Sequence, residues 1–221
     1  DRAREHTPKT VRNDYFFLKT ILEKNVPDLQ LNGIVLAKLK RKKKQLFSEK
    51  WAGDVLRYVA ERWETDFYLY CCFIISAGLR PSEAYALTWG DLSASPIDAL
   101  DSSGRTYKIG TINIDKAIVR GEKGFQPKGT KSDAGERVLR VDWSFFENLY
   151  AKPRGKDNEQ VFQMKPSRVI YRWDITRKDL GLPETMRFYD LRHFFATSVA
   201  YSGASEEELA RVMGHSTSAF S

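Results

Sequence analysis

Three separated segments place basic or proton-carrying side chains where chain elements end, and such positions suit the gripping of an anion. The first is Ala77-Gly78-Leu79-Arg80-Pro81-Ser82-Glu83. Gly78 predicts a helix stop, and Pro81 with Glu83 predicts the start of the next helix, so Arg80 falls at a helix–helix junction. Apolar neighbours on both sides, Phe73 to Ala77 and Tyr85 to Leu87, predict a partly buried guanidinium that needs a carboxylate or phosphate partner. A structural salt bridge to Glu83 is one solution and a bound anion is the other. The second segment is Lys128-Gly129-Thr130-Lys131-Ser132, read as a hairpin tip. A lysine there could reach over a polyanion as a phosphate contact or general acid. The third is Arg187-Phe188-Tyr189-Asp190-Leu191-Arg192-His193, followed by Leu209-Ala210-Arg211-Val212-Met213-Gly214-His215. Asp190 can cap a helix whose first turn holds Arg192. The dipole there opposes a cation, so that placement implies a bound anion. His215 follows a helix-ending glycine, where an imidazole can donate a hydrogen bond.

The elements around these residues are mostly helical. Thr7 as N-cap and Pro8 in the first turn predict a helix to Glu23, with Val11, Tyr15, Leu18 and Leu22 at helical spacing. Ser48 caps a second helix that carries Trp51, Val55, Tyr58 and Val59 on one face. Thr65 to Ser76 is nearly all apolar and too long for a strand, so it reads as a buried helix. Ser93 to Arg105 reads as a loop. Thr111 to Asp115, continued by Ala117 to Val119, reads as one strand, and Glu136 to Val141 as its antiparallel partner across a long turn-rich connection. Helices follow at Trp143 to Tyr150, Arg168 to Leu180, Leu191 to Tyr201 and Glu206 to Met213, the last with a capping box of Ser205 and Glu208. A helical body with a small antiparallel sheet is α+β.

Composition narrows the partners. Residues 1–50 hold 13 Lys/Arg against 6 Asp/Glu, and residues 51–221 hold 23 against 23, so the whole net charge of +7 is N-terminal. It concentrates in Lys38, Lys40, Arg41, Lys42, Lys43 and Lys44. Such a run stays solvated unless a polyanion neutralises it, which leaves a plain solvated linker or a nucleic-acid contact. No apolar run has the length of a membrane-spanning helix, and the polar start DRAREHTPKT does not read as a signal peptide. The adjacent Cys71 and Cys72 do not make a disulfide framework, so a cytoplasmic setting is expected. Three dispersed histidines with no C-x-x-C predict no structural metal.

Taken in order, Gly78-Leu79-Arg80 with Glu83, Thr130-Lys131-Ser132 ahead of a strand, Asp190-Leu191-Arg192-His193 and Met213-Gly214-His215 resemble the motifs of tyrosine recombinases, the phage-integrase family. The resemblance spans residues 78–215. It implies a catalytic domain over 47–221, a basic interdomain linker over 31–46, and, in 1–30, the last helix of a core-binding arm domain. It implies site-specific DNA recombination, the integration or excision of a phage or mobile element, through a 3′-phosphotyrosine and without metal or nucleotide cofactor. Arg80 and Arg192 would hold the scissile phosphate, Lys131 would protonate the leaving 5′-oxygen, and His215 would assist. Glu83 would orient Arg80, and Lys128 with the Lys38–Lys44 run would contact double-stranded DNA. The encoding genome would be bacterial or phage. Full-length members assemble as tetramers on paired DNA sites; the chain as given is expected to be a monomer.

Two positions depart from the family pattern. Tyr189 stands where a histidine is common, and it is carried as a phosphate contact. His193, beside Arg192, reads as a buried structural histidine because Phe194 to Ala196 follow it. The family's nucleophilic tyrosine falls roughly nine residues after the Gly-His pair, whereas no tyrosine follows Tyr201 in this chain. Tyr201 itself reads as core, so the 221 residues are expected to bind DNA without cleaving it. Two competing readings are a DNA-binding accessory module that never cleaves and a type IB topoisomerase-like enzyme.

Overall fold

The computed structural model describes residues 6–26, 31, 33–39, 47–101, 103–121, 124–129 and 135–214. The chain divides into two compact units, Asp1–Lys44 and Gln45–Ser221. In the first, α1 (Pro8–Asn25) starts where Thr7 accepts a hydrogen bond from the Thr10 amide at 3.3 Å, and none of its residues is buried.

The second unit is α+β. Its frame is α2 (Glu49–Arg62), α3 (Thr65–Ala77) and α4 (Pro81–Ala86). Ser48 caps α2 by accepting from the Trp51 amide, and Val55 and Val59 face inward. α3 is apolar all round, as a helix in the middle of a core must be, and it buries residues on every side, including Phe67, Cys71, Phe73 and Ile74. Gly78 ends it at φ 65°, a left-handed conformation. An added Cβ there would collide with the Phe195 ring, so both the φ and the close approach require glycine.

A three-stranded antiparallel sheet follows, in the order β1 (Ile97–Leu100), β2 (Thr106–Ile114), β5 (Arg137–Asp142). β2 and β5 pair from Ile109↔Asp142 to Ile114↔Arg137, which turns Ile112, Ile114 and Leu139 into the core. A separate hairpin joins β3 (Lys116–Gly121) to β4 (Gly124–Gly129). The chain closes with α5 (Ser144–Tyr150), α6 (Pro166–Asp179), α7 (Asp190–Tyr201) and α8 (Glu206–Met213). Among the described residues no helix is long and apolar enough to cross a membrane.

The structure corrects four expectations. Ile97–Leu100 is a strand and not loop; the turn that follows it is held by Asp101, whose Oδ1 accepts from the amides of Ser103 and Arg105. Ala117–Val119 does not continue β2. The chain leaves the sheet at Asp115, Lys116 is drawn to Asp91 at 2.7 Å, and β3 pairs with β4, so the supposed connection itself holds a strand. Lys128 therefore lies within β4 opposite Ala117, far along the strand from the Gly121–Gly124 turn. Tyr201, expected in the core, is 84% exposed at the end of α7.

Candidate active site

Three guanidiniums, two from separate elements and one from a helix junction, meet around a single carboxylate on α4. Arg80 is the residue before α4, and Glu83 at the third position of that helix accepts from the Arg80 amide at 2.8 Å. That local turn fixes both side chains. Arg80 Nη1 then donates to Glu83 Oε1 at 2.5 Å, and Arg80 remains part-exposed. Arg137, the first residue of β5, donates to both oxygens of Glu83, Nη1 to Oε1 at 3.2 Å and Nη2 to Oε2 at 2.9 Å. Arg192, in the first turn of α7, is fully buried with Nη1 3.7 Å from Glu83 Oε2.

The end of α8 completes the frame. The last carbonyls of a helix have no intrahelical donor and sit at the negative pole of its dipole, so cations are favoured there. Val212 O accepts from Arg137 Nε at 2.8 Å, Met213 O from Arg192 Nη2, and Gly214 O from Arg80 Nη2 at 2.9 Å. Each arginine thus caps one of three consecutive carbonyls. Arg192 Nη1 also donates to Gly78 O at the end of α3, which links the stop of one buried helix to the stop of another.

The charges do not balance. Three guanidiniums surround one carboxylate, which leaves two positive charges in a largely buried place. Burial pushes Glu83 up, but the hydrogen bonds and charge of Arg137, and then the backbone and side-chain hydrogen bonds of Arg80, outweigh it and hold the carboxyl below its ordinary value. Arg192 is pulled down to about 10 by burial and then by the like charge of Arg80, and stays protonated at neutral pH. Its Nε–H is buried and has no hydrogen-bond partner among the described residues. A buried donor left unpaired costs about 1–3 kcal/mol, which a phosphate oxygen would recover. Among the described residues no cluster of His, Cys, Asp or Glu could hold a metal ion.

The sequence profile of the phage integrase family matches residues 54–220. The chain belongs to the phage integrase family. Its relatives include the prophage phiRv2 integrase of Mycobacterium tuberculosis, 27% identical over 144 residues that cover 60% of this chain and 37% of that protein. The chain thus spans little more than a third of that relative. Among solved structures, the Tn1549 transposon integrase in complex with transposon right-end DNA superposes with a TM-score of 0.71, at 19% identity over 99% of this chain and 75% of that one. XerH site-specific recombinase bound to its difH substrate gives 0.58, at 16% identity over 95% and 58%. At these identities the structural likeness speaks for the fold.

In this integrase-family chain, Arg80, Glu83 and Arg192 come together as described. Tyr189 immediately precedes α7, is 38% exposed, and lies close enough to Arg192 to interact with it electrostatically. His193 is a correction: it is exposed and not buried, with its ring edge-on to Tyr189 at 5.1 Å and Nε2 3.9 Å from Asp190 Oδ1. Its apolar neighbours point elsewhere because successive helical residues are about 100° apart. Asp190 holds the Arg187 amide at 2.8 Å, in the turn that leads into α7. Lys38 and Lys128 are exposed. Lys131, His215 and Lys40 to Lys44 lie outside the described residues. The sequence reading missed Arg137. A signal existed: Arg137, Leu139 and Val141 share one face of an alternating strand, so an arginine stands at a core-facing position.

Proposed function

We propose that this chain is the DNA-cleaving and rejoining domain of a site-specific recombinase that integrates or excises a mobile element. The observation that carries the reading is the cluster of three arginines on one carboxylate, with an Arg192 Nε that finds no partner among the described residues. Two uncompensated positive charges match a phosphodiester, whose charge grows towards the transition state of phosphoryl transfer. Arg80 and Arg192 hold the non-bridging oxygens, Glu83 keeps Arg80 in place, and Tyr189 donates its phenolic hydrogen to the phosphate. A tyrosine hydroxyl attacks phosphorus, passes its proton to water and displaces the 5′-oxygen, which takes a proton from Lys131, while His215 hydrogen-bonds the phosphate or assists proton transfer. The phosphotyrosine retains the phosphodiester bond energy, so rejoining needs no nucleotide. No tyrosine follows Tyr201 in the 221 residues, so by themselves they bind DNA without cleaving it. Residues 1–30 serve as part of an arm and 31–46 as a basic linker, with Lys38 to Lys44 set against DNA phosphates and Lys128 against the duplex. On paired sites the full protein works as a tetramer, and the 221 residues alone sediment as a monomer.

The test uses protein from the complete reading frame, incubated without metal with nicked duplexes taken from the DNA that flanks its gene. A covalent protein–DNA adduct on denaturing gels, absent in Arg192→Ala, is the expected result. Salt-sensitive binding with no adduct on any of these duplexes would overturn the cleavage reading and leave a DNA-binding module.

A further inference from the structure

We propose that Arg137 is a positioning residue of the phosphate site, which occupies both oxygens of Glu83 so that this carboxylate does not compete with the phosphate for Arg80 and Arg192. The inference rests on the phosphate-binding reading given above. Arg137 is 5% exposed and Glu83 2%, so water screens their interaction poorly. The planar guanidinium fork meets the carboxylate on both oxygens, the arrangement in which arginine binds a carboxylate best. Arg137 directs its other hydrogen bonds to Val212 O and, at 3.2 Å, to Gly135 O. Among the described residues four of its five N–H groups are bonded to the protein and the side chain is almost wholly buried, so it acts through Glu83 and not on the phosphate itself.

The consequence lies in what Arg80 and Arg192 are left to do. The Arg80 guanidinium gives Glu83 only one of its nitrogens, its other contact with that carboxylate being through the backbone amide, and Arg192 stands 3.7 Å from it, beyond hydrogen-bond distance. Without Arg137, Glu83 would turn its free lone pairs to these two arginines. The site would keep one net positive charge where it now has two, and an incoming phosphate would have to displace a buried carboxylate from the same donors. Arg137 could instead serve only as a cap for the α8 carbonyl of Val212. That role does not depend on the charge of Glu83, which separates the two explanations.

The experiment titrates the full chain with inorganic phosphate and follows the arginine Nε–H signals of Arg80 and Arg192 by NMR. Wild type is compared with Arg137→Met, Arg137→Lys and the double variant Arg137→Met/Glu83→Gln. Phosphate affinity is expected to fall about tenfold in Arg137→Met and about threefold in Arg137→Lys, and to return most of the way in the double variant. Equal affinity in wild type and Arg137→Met overturns the proposal. Equal weakness in Arg137→Met and the double variant also overturns it and leaves Arg137 as a structural cap. Should thermal melts show Arg137→Met unfolded, Arg137→Lys against Arg137→Lys/Glu83→Gln decides by the same two criteria. A wild-type chain whose arginine signals ignore phosphate removes the phosphate reading itself, and this inference with it.

Discussion

Two of the buried arginines of the second unit, Arg172 and Arg192, are built in opposite ways. Arg172 on α6 pairs with Glu64, touches the Met164 sulfur at 3.7 Å, and lies over the rings of Trp63 and Phe67 at 5.7 and 5.4 Å. One cation meets one carboxylate and two aromatic faces, so its surroundings are complete without a ligand. Arg192 meets two main-chain carbonyls, the like charge of Arg80 and Arg137, and a carboxylate that it does not reach. Burial is therefore common to an arginine whose partners are complete and to one whose partners are not. The balance of charge around the guanidinium is what sets them apart.

This contrast makes its largest prediction for the reaction. Arg192→Met should lower the rate of adduct formation in the full protein by about 10³-fold or more, as loss of a charge-stabilising donor does elsewhere. Arg172→Met should leave that rate within about twofold, because Arg172 lies in an already neutral environment. Single-turnover cleavage measures both, and an equal loss in the two variants would break the comparison. Next in size is Glu83→Gln, which leaves three guanidiniums, two of them buried, without their carboxylate and should cost about 3–5 kcal/mol in denaturant unfolding. Because Glu83 titrates below its ordinary value of 4.5 in the folded protein, its stabilisation is fully present above that pH and is lost as pH falls through the lower folded value. Glu83→Gln should flatten the stability profile in that acid window, and an unchanged profile would remove Glu83 from the account.

What was legible in the sequence divides along the same line. Helix ends are set by neighbours a few residues away, and so Thr7, Ser48, Gly78 and the Ser205–Glu208 box all stand where the sequence places them. Arg80 and Glu83, three residues apart on one helix start, could be paired by spacing alone. Strand partners depend on distant segments: nothing local to Ala117–Val119 says that it leaves β2 for β4, or that Ile97–Leu100 joins β2 from the other edge. Arg137 lies 54 residues from Glu83, so only its core-facing register could have drawn notice. His193 and Tyr201 were misjudged because apolar neighbours in sequence occupy other faces of α7, whose buried residues are Leu191 and Arg192.

Smaller effects sharpen the contrast from the structural side. Arg172→Met strands Glu64, but that carboxylate is 46% exposed and can turn to water, so the loss of stability should be about 2 kcal/mol. Phosphate affinity should not change. Denaturant midpoints and the arginine NMR titration together check this, and weakened phosphate binding would make Arg172 part of the site.

The smallest effect concerns the frame that holds the arginines. Ser205 Oγ accepts from the Glu208 amide at 3.2 Å while Glu208 Oε2 accepts from the Ser205 amide at 2.8 Å, which closes the first turn of α8 from both sides. α8 has only 8 residues, so its first turn is close to half of its length and the cap steadies the whole helix. At the other end, the same helix presents the carbonyls of Val212, Met213 and Gly214 to Arg137, Arg192 and Arg80. Ser205→Ala should therefore cost about 1 kcal/mol of stability and speed hydrogen exchange along α8. If charge balance governs the site, phosphate affinity should fall far less than in Arg137→Met, because every charge remains in place. A fall as large as in that variant would mean that the carbonyl frame, and not the excess of positive charge, sets the grip on phosphate.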